Sequence, residues 1–277
     1  MTDFDHFIIT RFNLRSESFS LDDKRSKKTL QKDWMDHRFN LFKQFCLPSL
    51  KNQSNKNFKW LIYFDRNTDK YYKEEFNKIS QINDFLIVKY VDDYSQFLKN
   101  YKGDLNDLRD KNKKYIITTR FDNDDCFHCD AIAVIQKQFN YQEYMAVNFI
   151  KGYQLQIEPK YYLYRNYSFS NPFISLIEKI NRGDFKGCYS KQDRFWNENG
   201  KILQIANKEY WLQIIHERNL LNTLSGIPVI TRENLFVFGI KDKIKPKFRV
   251  IQFLFFWDMP LIKWFKVEII NKISFFS

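Results

Sequence analysis

The stretch Arg120-Phe121-Asp122-Asn123-Asp124-Asp125 places three carboxylates within four residues. They repel: a pair about 4 Å apart at an effective dielectric near 20 is worth roughly 4 kcal/mol of repulsion. A compensating cation is therefore required. Mg2+ or Mn2+ meets that need, because such an ion binds through one or two carboxylates and completes its sphere with phosphate oxygens. Held there, it can stabilise a departing nucleoside diphosphate as a Lewis acid. The competing reading is a strand-to-helix turn in which Asp124 or Asp125 caps the following helix. Arg120 shifts the balance. Two residues before Asp122 in an extended strand, it shares that residue's face, which sets a phosphate-binding guanidinium beside a metal-binding carboxylate.

Elements that would position these groups are legible upstream. Four nearly continuous apolar runs, His6 to Phe12, Phe58 to Asp65, Phe85 to Val91 and Tyr115 to Asp122, read as strands covered on both faces. Apolar residues at helical spacing predict a helix over Asp33 to Phe45 that Pro48 stops. Tyr71 to Ile82 and Tyr94 to Asp110 are long enough for crossover helices. The pattern βαβαβαβ implies an α/β fold with a mainly parallel sheet flanked by helices and a ligand site at the strand carboxyl ends. Arg11, Asp65, Asp92 and Asp122 all fall at such ends. Further on, His128 to Phe139 reads as a helix, Tyr144 to Tyr167 as antiparallel strands, and Tyr210 to Asn219 as a helix.

Four segments in combination, HFIITRFN from His6, Trp34 to Asp65, ITTRFDNDD from Ile117, and WLQIIHERNLLN from Trp211, resemble a bacterial rhamnosyltransferase family of the GT-A glycosyltransferase superfamily. The likeness covers most of residues 6 to 222. It implies a GT-A-type, Rossmann-like sheet and an enzyme that moves a sugar, a deoxyhexose such as rhamnose, from a nucleotide-diphosphate donor to a glycan or lipid-linked acceptor with inversion. Asp122 and Asp124 match the carboxylates for metal (Mn2+ or Mg2+) and nucleotide sugar, with Asp125 a further candidate. Arg120 belongs with the donor phosphates. Asp65 stands where the nucleoside is held, or is only a turn former. Arg11 is a base or diphosphate contact, or an ordinary ion pair, and Asp92 is analogous to Asp65. His216 is a third metal ligand or diphosphate contact, or a packed histidine. Arg38, on an otherwise apolar helix stripe, serves donor phosphates or a structural carboxylate. Inversion needs a base for the acceptor hydroxyl proton, and Asp193 is the choice, with Glu209 the alternative.

Two rivals stay open. A nucleotidyltransferase would carry a Gly-rich phosphate loop near the first strand, and RFNLRSES has no Gly. A non-catalytic sugar-binding or peripheral membrane protein would turn over no nucleotide sugar.

Composition bounds the remainder. With 44% hydrophobic residues and 29 Phe in 277 residues, a full core is available, and disorder is excluded. A net charge of +12 favours anionic partners, yet no recognition motif supports nucleic acid. The first ten residues lack a basic region followed by an apolar core, so a cytoplasmic location is expected. Cys126 and Cys129 have no second pair, which argues against zinc. The chain divides into a catalytic domain over 1–240 and a segment over 241–277 with 8 basic and 3 acidic residues, Trp257 and Trp264. That composition suits an anionic membrane surface, at the inner face of the plasma membrane, or else a core or oligomer contact. Asp258, Lys263, Lys266, Glu268 and Lys272 rule out a transmembrane helix there.

Overall fold

The structure is a computed structural model that describes residues 2–15, 29–191, 202–218, 224–229, 233–241, 244 and 246. The four apolar runs form β1 (Phe4–Arg11), β2 (Lys59–Asp65), β3 (Leu86–Val91) and β4 (Tyr115–Arg120). Helix α1 (Lys32–Leu41) leads through a π-helical stretch (Phe42–Cys46) into α2 (Leu47–Lys51), and α3 (Lys70–Gln81) and α4 (Tyr94–Leu108) make the next crossovers. Asp69 and Asp93 start α3 and α4 by accepting the N–H groups of Tyr71 and Gln96.

Among the described residues the first sheet has seven strands. Beyond β1 to β4 it takes in β6 (Tyr144–Phe149), β9 (Ser175–Lys179) and β10 (Ile202–Ile205), in the order β10-β6-β9-β4-β1-β2-β3. β1 pairs parallel with β2 and β4, and β2 with β3, while β9 runs antiparallel to β4 and β6. The fold is thus mixed α/β with a mostly parallel central sheet, as the sequence implies. Alternation along each strand feeds two cores. Ile8, Trp60, Ile62 and Ile117 meet Phe39, Phe42 and Phe76. Phe7, Ile9, Leu61 and Tyr63 meet Phe97, Tyr101 and Leu105 of α4.

The chain runs outward from β1 through β2 to β3, then returns to place β4 on the other side of β1. The carboxyl ends of β1 and β4 therefore flank the point where strand order reverses, which is where open α/β sheets bind ligands.

Four expectations are corrected. Pro48 does not stop the first helix. The N–H of Leu47 bonds to the carbonyl of Phe42, five residues back, and this π register restarts an α-turn in which Pro48 sits in the opening positions, where its missing N–H goes unfelt. The helix expected from His128 is α5 (Ala131–Lys137), preceded by a two-residue strand, β5 (Cys126–Phe127). Tyr144 to Tyr167 is not one antiparallel set. β6 stays in the first sheet, whereas β7 (Lys151–Gln156) and β8 (Tyr162–Tyr167) pair antiparallel in a second sheet.

The last correction matters most for the site. Trp211 to Ile215 is a strand, β11, not a helix. All five of its residues are buried, so its apolar run satisfies a two-sided strand as readily as a buried helix turn. It lies between β7, parallel, and β5, antiparallel, in the five-stranded sheet β12-β8-β7-β11-β5, whose other edge is β12 (Ile227–Pro228). Of residues 241–277, only Lys241, Ile244 and Pro246 are described, so the division at 240 and the membrane-facing segment lie outside the described residues. Among the described residues no helix is long and apolar enough to cross a membrane.

The β7–β11 pairing fixes one glycine. Trp211 lies opposite Gly152, and a Cβ at Gly152 would run into the Trp211 indole ring. Gly152→Val should therefore destabilise by about 1–3 kcal/mol, read as a lower Tm in thermal denaturation. An unchanged Tm would show that this register does not hold.

Candidate active site

The acid turn is fastened residue by residue. Cys46 of the π-helical stretch donates its S–H to the Asp122 carbonyl at 3.5 Å. Asn123 donates through Nδ2 to the carbonyl of Phe12 at 2.8 Å, just past β1, and accepts from Arg38 Nη1 at 3.1 Å. Asp124 receives Arg38 Nη1 and His216 Nε2, both on Oδ2, the latter at 3.2 Å. Asp125 accepts the N–H of Ile214 on β11 at 2.9 Å. Four elements thus converge on four consecutive residues.

The three carboxylates differ in state. Burial opposes charge on Asp124, but Arg38 and His216 more than offset it and hold its carboxyl below the ordinary range. Asp125, equally buried, is pushed well above that range by desolvation and then by the charges of Asp124 and Asp122. It caps no helix, since α5 begins at Ala131 with Asp130 before it. Asp122 keeps 30% of its side-chain surface and stands 4.0 Å from Arg120 Nε.

Beside this turn the guanidiniums of Arg11 and Arg120 lie 5.2 and 5.4 Å from the ring centre of Tyr189, and Arg11 also lies 5.0 Å from that of Tyr94. The Tyr189 hydroxyl donates to the Ile9 carbonyl at 3.3 Å, which ties this ring to β1. Arg11 and Arg120 are thereby brought together at the β1–β4 crevice. Asp65 is two strands from β4, roughly 10 Å at the usual strand spacing. It is fully buried, bonded to Arg15 Nε at 2.5 Å and to the Asn67 N–H at 2.8 Å, while Asn13 Oδ1 accepts its backbone N–H. Asp92, just past edge strand β3, is engaged by Arg66 at 2.6 Å and Gln96 at 2.8 Å on an exposed surface, apart from the acid turn.

His216 follows β11 and reaches Asp124, while His37 Nε2 lies 3.1 Å from its Nδ1. Glu209 precedes β11 and is bonded to Arg165 at 2.6 Å. The strand between them spans about 17 Å, so Glu209 cannot act at the acid turn. Asp193 lies outside the described residues. Arg38 finds a carboxylate, as one of its two readings required, and that carboxylate is Asp124. Arg15, Asn13, Asn123 and Tyr189 were not singled out in the sequence. Only Asn123 carried a signal, by lying inside the acidic motif.

Among the described residues, one group of three brings potential metal-binding atoms together, His128, Cys129 and Asp130. Its atoms are already committed: the Asp130 N–H donates to His128 Nδ1 at 3.1 Å, and Asp130 is bonded to Lys208 at 2.8 Å and Ser54 at 3.1 Å. Burial also raises the Cys129 thiol, which disfavours the thiolate.

A carboxylate turn beside paired arginines thus lies at the switch point of a mainly parallel sheet, where such sheets bind ligands. Residues 5–225 match the family described as "Putative rhamnosyl transferase", and the chain belongs to that family. No curated protein matches it. Among solved structures it is similar to S. aureus TarS 1-349 (12% identity, 76% of this chain and 60% of that one, TM-score 0.40). The same fragment in complex with UDP-GlcNAc gives 12% identity, 78% and 60% coverage, and a TM-score of 0.44. A "putative nucleotide-diphospho-sugar transferase" from Desulfovibrio desulfuricans G20 gives 11% identity, 77% and 81% coverage, and a TM-score of 0.36. The chain thus spans about 60% of the length of the TarS fragment.

Two outcomes follow from the carboxylate states. Arg38→Ala leaves a buried Asp124 charge without its guanidinium and should destabilise by about 3–5 kcal/mol, measured by urea denaturation. Asp125→Asn keeps an oxygen for the Ile214 N–H and cannot ionise. Because the folded pKa of Asp125 is raised, its stabilising contribution is present below the unfolded value near 4 and is lost as pH rises. The variant should therefore match the wild type near pH 4 and gain on it as pH rises, with Tm moving about 2–4 °C per kcal/mol at this chain length. A constant difference across pH would mean that Asp125 does not titrate in this way.

Proposed function

We propose that the chain is a metal-dependent glycosyltransferase that moves a deoxyhexose such as rhamnose from a nucleotide-diphosphate donor to a glycan or lipid-linked acceptor, with inversion. The observation that carries this reading is the convergence of Arg11 and Arg120 on Tyr189 beside the partly open Asp122 carboxylate. The fit to a divalent ion rests on donor chemistry. Asp122 and Asp124 supply hard oxygen donors, and no three acidic, histidine or cysteine ligand atoms cluster at this turn among the described residues. A sphere of one or two carboxylates completed by phosphate oxygens and water suits Mg2+ or Mn2+.

When bound, the ion would supply Lewis-acid stabilisation of charge on the leaving diphosphate. Arg11 and Arg120 bind and orient the phosphates through paired N–H donors. Asp65 holds the nucleoside, with Arg15 and Asn67 fixing its carboxylate, and Asp92 lies further out on the same rim. Asp193 takes the proton of the acceptor hydroxyl. The segment over 241–277 attaches the protein to the inner face of an anionic membrane. Liposome sedimentation tests this, because the basic residues there should give binding to anionic vesicles that falls with salt.

The central test is a thermal-shift screen of nucleotide sugars with and without Mn2+. A donor at 100 times its Kd should stabilise by about 2.7 kcal/mol. Asp122→Asn should abolish the Mn2+-dependent part of that shift while keeping the wild-type Tm without ligand. Asp124→Asn is the poorer probe, because it also breaks the buried pair with Arg38. If no nucleotide sugar raises the Tm and none is turned over, the proposal fails.

A further inference from the structure

We propose that His216 is a positioning residue, a fixed hydrogen-bond donor to Asp124 and not a ligand of the ion. The proposal rests on the reading of Asp124 as a metal carboxylate, and it concerns which atom of the imidazole carries the proton. The backbone N–H of Arg218 donates to His216 Nδ1 at 3.2 Å. Its direction is set by the main chain, so Nδ1 must present its lone pair. A neutral imidazole holds one ring proton, which then sits on Nε2.

That proton faces Asp124 Oδ2 at 3.2 Å. An Nε2–H has no lone pair for a metal, so ligation through this atom would require the proton to move to Nδ1, against the Arg218 N–H. His37 reinforces the arrangement. Its Nε2 stands 3.1 Å from the same Nδ1, so it too must be a donor, and two N–H groups hold one lone pair. The same turn occurs at His128, where the Asp130 N–H donates to Nδ1 two residues back.

The consequence falls on the carboxylate. Arg38 and His216 both engage Oδ2, which fixes the rotation of the Asp124 side chain, so its second oxygen is the one that would hold a cation. His216 is buried, with 4% of its surface exposed, so water does not compete for the bond. A hydrogen-bonding partner behind a metal carboxylate commonly accounts for 10- to 100-fold in metal affinity or activity when removed.

Two measurements on the full chain decide the matter. Long-range 1H–15N spectra of the 15N-histidine-labelled protein should show His216 with a bare Nδ1 and a protonated Nε2. That pattern should persist in saturating Mg2+ and nucleoside diphosphate. A switch to Nδ1–H on adding Mg2+ would overturn the proposal.

The second measurement is Mn2+ affinity by electron paramagnetic resonance for His216→Ala and His216→Gln, the latter carrying an amide N–H in place of Nε2–H. Donation predicts a 10- to 100-fold loss for the alanine variant and rescue to within about threefold for the glutamine variant. Ligation predicts that both lose affinity alike, and that result would overturn the proposal. Should the wild type bind no Mn2+ at all, the metal reading falls by itself, and the ring-proton measurement still decides which nitrogen donates.

Discussion

The buried pair between Arg38 and Asp124 is the constraint on which the rest of the site depends. Three adjacent carboxylates at the end of a buried strand would repel and draw in water, and the turn would have no defined shape. One guanidinium, 11% exposed and itself stacked on Trp34 at 5.3 Å, removes much of that conflict. It also bonds to Asn123, which in turn holds the carbonyl of Phe12. A single side chain thereby links α1, the acid turn and the end of β1. Such a pair gains little over an apolar replacement, but leaving either partner alone is strongly unfavourable, so its effect is to enforce one geometry.

That geometry explains features which otherwise look incidental. The first helix carries Arg38 and His37 on a turn that must face the acid turn while Phe42 and Phe45 stay in the core. The π-helical stretch shifts the register behind them, letting the helix continue through Pro48. The second sheet meets the same turn through β11. β11 presents the Ile214 N–H to Asp125 and ends at His216, so its placement between β5 and β7 brings both contacts to the turn. Helix α1 and the end of β11 thus meet each other, through His37 and His216, and the turn, at Asp124.

How much of this was legible follows from where the physics is local. The four parallel strands could be read because strands buried on both faces are written as unbroken apolar runs. The ends of β1, β2 and β4 could be read for the same reason, and with them Arg11, Asp65, Arg120 and the acid turn. The strand at Trp211 to Ile215 could not, because five buried residues carry no period that separates strand from helix. The need of Arg38 for a partner was legible as a charge on an apolar stripe. The identity of that partner was not, since Asp124 is 86 residues further along the chain. Arg15 had no signal at all. Its bond to Asp65 exists only because the chain after β1 passes over the end of β2.

The three aspartates make the same point about chemistry. Asp122, Asp124 and Asp125 share one residue type and one short turn, and motif spacing treats them nearly alike. Environment separates them: Asp125 is buried against a backbone N–H and driven toward its neutral form, Asp124 is held ionised by Arg38, and Asp122 stays partly open beside Arg120. Burial drives Asp125 toward its neutral form while the guanidiniums of Arg11, Arg38 and Arg120 lie at or beside the turn, so the turn repels an anion less than its sequence suggests. The acidity that defines the motif in sequence is therefore compensated in the fold, and Asp122 is left as the most open of the three carboxylates.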